Sequence, residues 1–189
     1  MTIGFGRLLV AATATVLVTI AHERAALAEE PEPEPVLRSD VTHKDPALTI
    51  AAGASSLKLL DLPFVGAHAV AGISSDLSAH FSLGGQGEYV RSSSPNGLLM
   101  QVIRLDFTPS LVVDRFRIGA GVNVDWLGIS RETNGGTITH FGFGLHARAS
   151  LDVVRFARRG AVFVSLEPSY VSFGSPALYQ GDLALGARF

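Results

Sequence analysis

The sequence predicts an all-β fold, an eight-stranded antiparallel up-and-down transmembrane β-barrel. Three observations carry that expectation. From Leu48 to Phe189 the chain alternates apolar residues with polar or small ones at period two, broken by turn residues every 12 to 20 positions. Charged residues are only 17% of the chain, and of the two lysines, Lys44 and Lys58, neither lies beyond position 58. A water-facing β-surface ordinarily carries lysine on its faces and edges. Finally, all three tyrosines and the single tryptophan fall near one end of their runs on the apolar face, as side chains with an apolar ring and a polar atom do at a membrane–water boundary.

The elements follow in chain order. Residues 1–28 read as a cleaved signal peptide: Arg7 supplies the positive start, Leu8 to Ala21 is an apolar run, and Ala26-Leu27-Ala28 is a small-x-small cleavage site. The run is shorter than the roughly 20 residues a spanning helix needs. Residues 29–46 form an acidic, proline-rich segment, Glu29-Glu-Pro-Glu-Pro-Glu-Pro35 at its head, expected as a disordered periplasmic leader. The barrel is expected over 47–189, with strands at 48–57, 63–74, 77–91, 98–112, 115–129, 137–153, 161–173 and 179–189. Each reaches the 9–11 residues needed to cross a bilayer at a tilt, and an even count leaves both chain ends on one side. Ser75-Asp76 and Val113-Asp114 read as tight periplasmic turns. The alternate connections, Ser92 to Gly97 and Glu132 to Gly136, are longer and suit the outside. Phe156 to Gly160 is a longer inner turn, and Lys58 to Leu62 has the least defined boundary.

Face assignment follows from parity. In the fifth run Phe116, Ile118, Ala120, Val122, Val124 and Trp126 alternate with Arg117, Gly119, Gly121, Asn123 and Asp125. The polar set is small or charge-balanced, which suits a narrow lumen and puts the apolar set in lipid. An aromatic girdle is expected from Tyr89, Trp126, Phe141, Tyr170 and Tyr179 at the outer boundary and Phe107, Phe116 and Phe189 at the inner one.

The inward set comprises His80, Glu88, Arg104, Asp106, Arg117, Asp125, His140, His146, Arg148, Asp152, Glu167, Asp182 and Arg188, four arginines against six carboxylates with three histidines. Such groups are expected to pair into a lumen charge network that blocks conduction. No metal site is expected: His140 and His146 lie six residues apart, about 20 Å along a strand. Asp125 with His140 offers too few ligands. No nucleophile–base–orienter spacing marks a catalytic site, no cofactor motif occurs, and there is no cysteine for disulfides or thiolate ligands. A net charge of −2 excludes a global basic patch, so no nucleic-acid partner is expected.

Over residues 47–189 this pattern resembles the small eight-stranded bacterial outer membrane protein β-barrel domain family. That resemblance implies a porin-like membrane protein of the Gram-negative cell envelope, with outer-membrane lipid as its surroundings. It also implies a C-terminal assembly signal, polar-x-Gly-x-x-hydrophobic-x-aromatic, read by the barrel-assembly machinery. The signal maps onto Asp182, Ala184, Ala187 and Phe189, with alanine departing from glycine at 184 and Ala187 a small hydrophobe. Barrel enzymes that modify lipids would need a histidine beside a serine on the lipid-facing surface, and no such pair is found. The expected function is therefore that of a non-enzymatic, monomeric outer-membrane barrel with a structural or surface-interaction role. A narrow channel for small hydrophilic solutes, a lipid-modifying barrel enzyme and a soluble periplasmic barrel are the alternatives.

Overall fold

The computed structural model describes residues 46–131, 137–156 and 160–189. The segments expected as signal peptide and leader, apart from Pro46, and the connections at 132–136 and 157–159 lie outside the described residues. The eight elements are strands: β1 (Ala47–Leu59), β2 (Leu62–Asp76), β3 (Phe81–Ser93), β4 (Leu98–Val113), β5 (Phe116–Arg131), β6 (Thr137–Phe156), β7 (Gly160–Ser172) and β8 (Ala177–Arg188). Each pairs antiparallel with its sequence neighbour, and β1 pairs with β8 to close the barrel. Closure leaves no strand edge unpaired, the condition for placing β-structure in lipid. The last residue takes part: Phe189 N–H donates to the Leu48 carbonyl at 2.9 Å, and Leu48 N–H donates to the Phe189 carbonyl at 3.1 Å.

The turns depart from expectation in instructive ways. Ser75 and Asp76 continue β2, in register with Leu83 and Ser82, and the chain reverses through residues 77–80, closed by Leu77 N–H donating to the Phe81 carbonyl at 2.8 Å. Asp76 stays in the strand because its carboxylate accepts from Arg117 inside the barrel. The β1–β2 turn is only Leu60-Asp61, both at positive φ (48° and 64°). That backbone matches the right-handed strand twist, but glycine or asparagine would normally announce it. The β4–β5 turn is Asp114-Arg115, one residue later than expected, with Asp114 at φ 49°. Connections at the end opposite the termini are thus not uniformly the longer ones.

Outward residues are apolar around the barrel. Ile103, Leu105, Val122 and Leu145 are 52–64% exposed, although such side chains in an aqueous fold would be covered. Trp126 registers with Phe141 and packs edge-on to it at 5.0 Å, and Tyr170 registers with Tyr179 at 5.3 Å. With Tyr89 they lie on the outer surface near the end opposite the termini. At the terminal end are Phe116 and Phe189, the latter 6.2 Å from Phe156. Phe107 belongs higher than its assignment to the inner boundary. It registers with Val122, six residues along β5 from Phe116, because β4 runs on to Val113.

Inside, the barrel has an apolar layer that alternation alone does not reveal. Leu57, Phe64, Val90, Met100, Val102, Leu127, Val171 and Leu178 are each 1% exposed or less and form one cluster across the lumen at the distal end, away from the termini. Leu62, Leu98, Ile129 and Phe173 pack against it.

Candidate functional site: a charged lumen

Register brings the central charges together. Glu88 on β3, Arg104 on β4 and Asp125 on β5 are direct cross-strand neighbours, all pointing inward by parity. Arg104 is fully buried. Its Nε and Nη2 donate to Asp125 at 3.0 and 2.9 Å, its Nη1 to Glu88 Oε2 at 3.2 Å, and its Nη2 to Gln180 Oε1 of β8 at 3.1 Å. One guanidinium therefore ties four strands across the lumen, using its planar fork of donors. Asn123 Nδ2 donates to Asp125 at 2.7 Å, and Gln180 Nε2 to Asp182 at 2.7 Å.

A second group lies toward the terminal end. Arg148 donates through Nε to Glu167 Oε2 at 2.6 Å and through Nη2 to Asp106 Oδ2 at 3.1 Å. Thr108 Oγ1 is 2.7 Å from His146 Nε2 and 3.2 Å from Asp106 Oδ1. Gly121, in register with His146, makes this possible. A Cβ there would fall 1.9 Å from the Phe107 carbonyl oxygen and 2.8 Å from the imidazole Cε1. Lower still, Arg117 pairs with Asp76 and Arg188 with Asp152, and Arg188 stacks 5.3 Å from the Phe163 ring. Arg155 links the Asp114 turn to Asp152 at the rim.

His80 and His140 stand outside this network. His80 lies on the exposed β2–β3 turn, not in a strand, and His140 keeps inward parity but sits exposed at the distal rim, 6.4 Å from the Phe173 ring. His68 takes their place. It is 2% exposed, and its Nδ1 lies 2.9 Å from Ser55 Oγ, which also donates to Asp182. Parity counted inward from Ile73 and Ala71, both exposed, would have found it. Ser55, Thr108 and Gln180 carried no such signal, since uncharged polar residues are common on either face.

Three carboxylate–histidine arrangements occur in the described lumen. Ser55, His68 and Asp182 form a serine–histidine–carboxylate contact, yet all three are buried in the lumen and none faces lipid. Two clusters, His68–Glu88–Asp182 and Asp106–His146–Glu167, each hold their ligand atoms within 4.8 Å of one another. A cavity of about 80 Å³ runs along the small-residue wall of β1, β2 and β3, bounded by Glu88 and Asp182 above and by Arg117 and Arg188 toward the terminal end. It has room for a few waters. At the distal rim Lys58 Nζ meets Asp61 at 2.8 Å, and that ammonium holds the Asp61 carboxyl below its ordinary value. In the terminal strand Asp182 and Ala184 face inward, Ala187 is covered between Ile50 and Val162, and Phe189 faces out.

No protein-family model matches the chain, and no curated protein matches it in sequence. Solved structures do match. The attachment invasion locus protein of Yersinia pestis is similar over 76% of this chain and 98% of its own, with a TM-score of 0.55 at 9% identity. Neisserial surface protein A is similar over 76% of this chain and 95% of its own, with a TM-score of 0.54 at 13% identity. At such identities the likeness is one of fold. The chain has the fold of the small eight-stranded outer-membrane β-barrels.

Proposed function

We propose that this protein is a non-conducting outer-membrane barrel whose lumen serves as a rigid internal brace and whose distal rim meets the cell exterior. The observation that carries this reading is the stacking of two seals. An apolar layer of nine buried side chains, Leu59 among them, closes the distal end, and the Arg104-centred network fills the lumen beneath it. A continuous water path would have to cross both, and a dewetted constriction alone stops ions. The apolar exterior and its boundary aromatics support placement in lipid. Ser55, whose Oγ lies 2.9 Å from His68 Nδ1, is too enclosed to meet a lipid substrate.

Export through the signal peptide, a solvated periplasmic leader, recognition of the Asp182–Phe189 strand by the barrel-assembly machinery, and a monomeric state complete the reading. The deciding experiment joins membrane fractionation to planar-bilayer recording. The protein is expected in the outer-membrane fraction, migrating faster unheated than boiled, and silent under voltage. Recovery in the soluble periplasm would refute the membrane reading, and resolved single-channel steps would refute the sealed lumen.

A further inference from the structure

The mid-lumen group is electrically unbalanced. Glu88, Asp106, Asp125, Glu167 and Asp182, each at most 8% exposed, are five carboxylates joined through two guanidiniums, Arg104 and Arg148. Arg117 and Arg188 do not help, being matched by Asp76 and Asp152. A formal surplus of three negative charges, with an apolar layer above and lipid around, is strongly unfavourable unless protons or metal cations are taken up. Two imidazoles, His68 and His146, stand in the same group and complete the two three-ligand clusters.

The clusters differ in how well they are already satisfied. Around His68, Ser55 occupies Nδ1 and Gln180 Nε2 reaches both Glu88 and Asp182. Around His146, three atoms are left over: His146 Nδ1, Glu167 Oε1 and the Oγ of Ser169, the residue in register with His146, are buried with no hydrogen-bond partner, the first two in residues 4% and 7% exposed. Arg104 Nη1 lies 4.0 Å from Glu167 Oε1, beyond hydrogen-bond reach. One imidazole nitrogen with two carboxylate oxygens is a donor set for a divalent transition metal, whereas magnesium and calcium favour oxygen alone.

We propose that Asp106, His146 and Glu167 form a lumenal binding site for a divalent transition-metal ion of the Zn²⁺ class, entered from the cavity on the terminal side. Arg148 now holds one oxygen of each carboxylate, and it also lines that cavity with its side chain 18% exposed. It has space to withdraw as an ion arrives, one cation replacing another.

The test uses the full chain without a histidine tag, folded in detergent, stripped with chelator and titrated with Zn²⁺ against a chromophoric competitor. One ion per chain is expected. His146→Gln and Glu167→Gln should each weaken binding by about 100-fold or more, with folding checked by heat-modifiable migration. Arg148→Gln should tighten it about tenfold, because a competing positive charge is gone. The double variant His80→Gln/His140→Gln, which removes the two exposed imidazoles among the described residues, should bind as before. Absence of one-to-one uptake by the unaltered chain overturns the proposal. So does binding that survives His146→Gln, or that is lost only with His68→Gln or with the exposed pair. Should His146→Gln not fold, Arg148→Gln decides: tighter binding supports the site, and unchanged affinity overturns it.

Discussion

The Arg104 guanidinium meets the Asp125 carboxylate side-on, Nε to Oδ1 at 3.0 Å and Nη2 to Oδ2 at 2.9 Å, with neither side chain exposed to solvent. Cross-strand register puts the two Cα positions opposite each other, and Glu88 stands on the other side of Arg104 in the same row. Three charges in one row across three strands lock the register of β3, β4 and β5, since a slip of one residue would turn each charge toward lipid.

Removing the centre of that row should be costly. Arg104→Met leaves Glu88 and Asp125 buried and unanswered, and a loss of about 3–5 kcal/mol is expected. Urea titration of the folded barrel in lipid vesicles measures it. Adding Glu88→Gln and Asp125→Asn to the same chain should restore most of the loss. No recovery in the triple variant would mean that the charges are not the source.

The distal apolar layer should behave as a protein core, although it lies inside a membrane barrel. Phe64→Ala is expected to cost about 3–5 kcal/mol through lost burial and a residual cavity. The same titration reads it, and a cost near zero would show that the layer is loosely packed.

The exterior should respond to charge by depth. Leu145, opposite Val122 in the middle of the apolar band, is 64% exposed. Leu145→Arg should cost about 2–4 kcal/mol of folding stability in vesicles, and Phe116→Arg at the band's edge only about 0–1. Equal costs at both positions would contradict the placement of the membrane.

Phe189 tests the assembly reading. Phe189→Ala keeps the backbone pair with Leu48 and removes one exposed ring. The folded band should form in detergent nearly as before while outer-membrane yield in cells falls. A drop in both would make the ring a structural element, and no drop in cells would remove Phe189 from the assembly signal.

Much of this architecture is written locally. Period-two alternation over 47–189 determined strand number, connectivity and which face meets lipid, because parity is a property of single strands. It also located the inner charges in outline: Arg104, Asp125, Arg148 and Glu167 all fall on the polar parity. The tight turn at Leu60-Asp61 was not legible, since its left-handed backbone begins on Leu60, a residue with no preference for it.

What lies across the lumen was decided only by closure. The β1–β8 seam brings Ser55 to Asp182 and Gln180 to Arg104, contacts between residues 127 and 76 positions apart. Sequence alone determined that this chain is a barrel with a wet interior and an apolar coat. Tertiary structure decided that the distal interior is apolar, that His68 enters while His80 and His140 stay at the rims, and that Asp106, His146 and Glu167 converge. The physical reason is that parity states which face a side chain takes, whereas shear and curvature set which side chains on that face share a level, and only a closed ladder defines those.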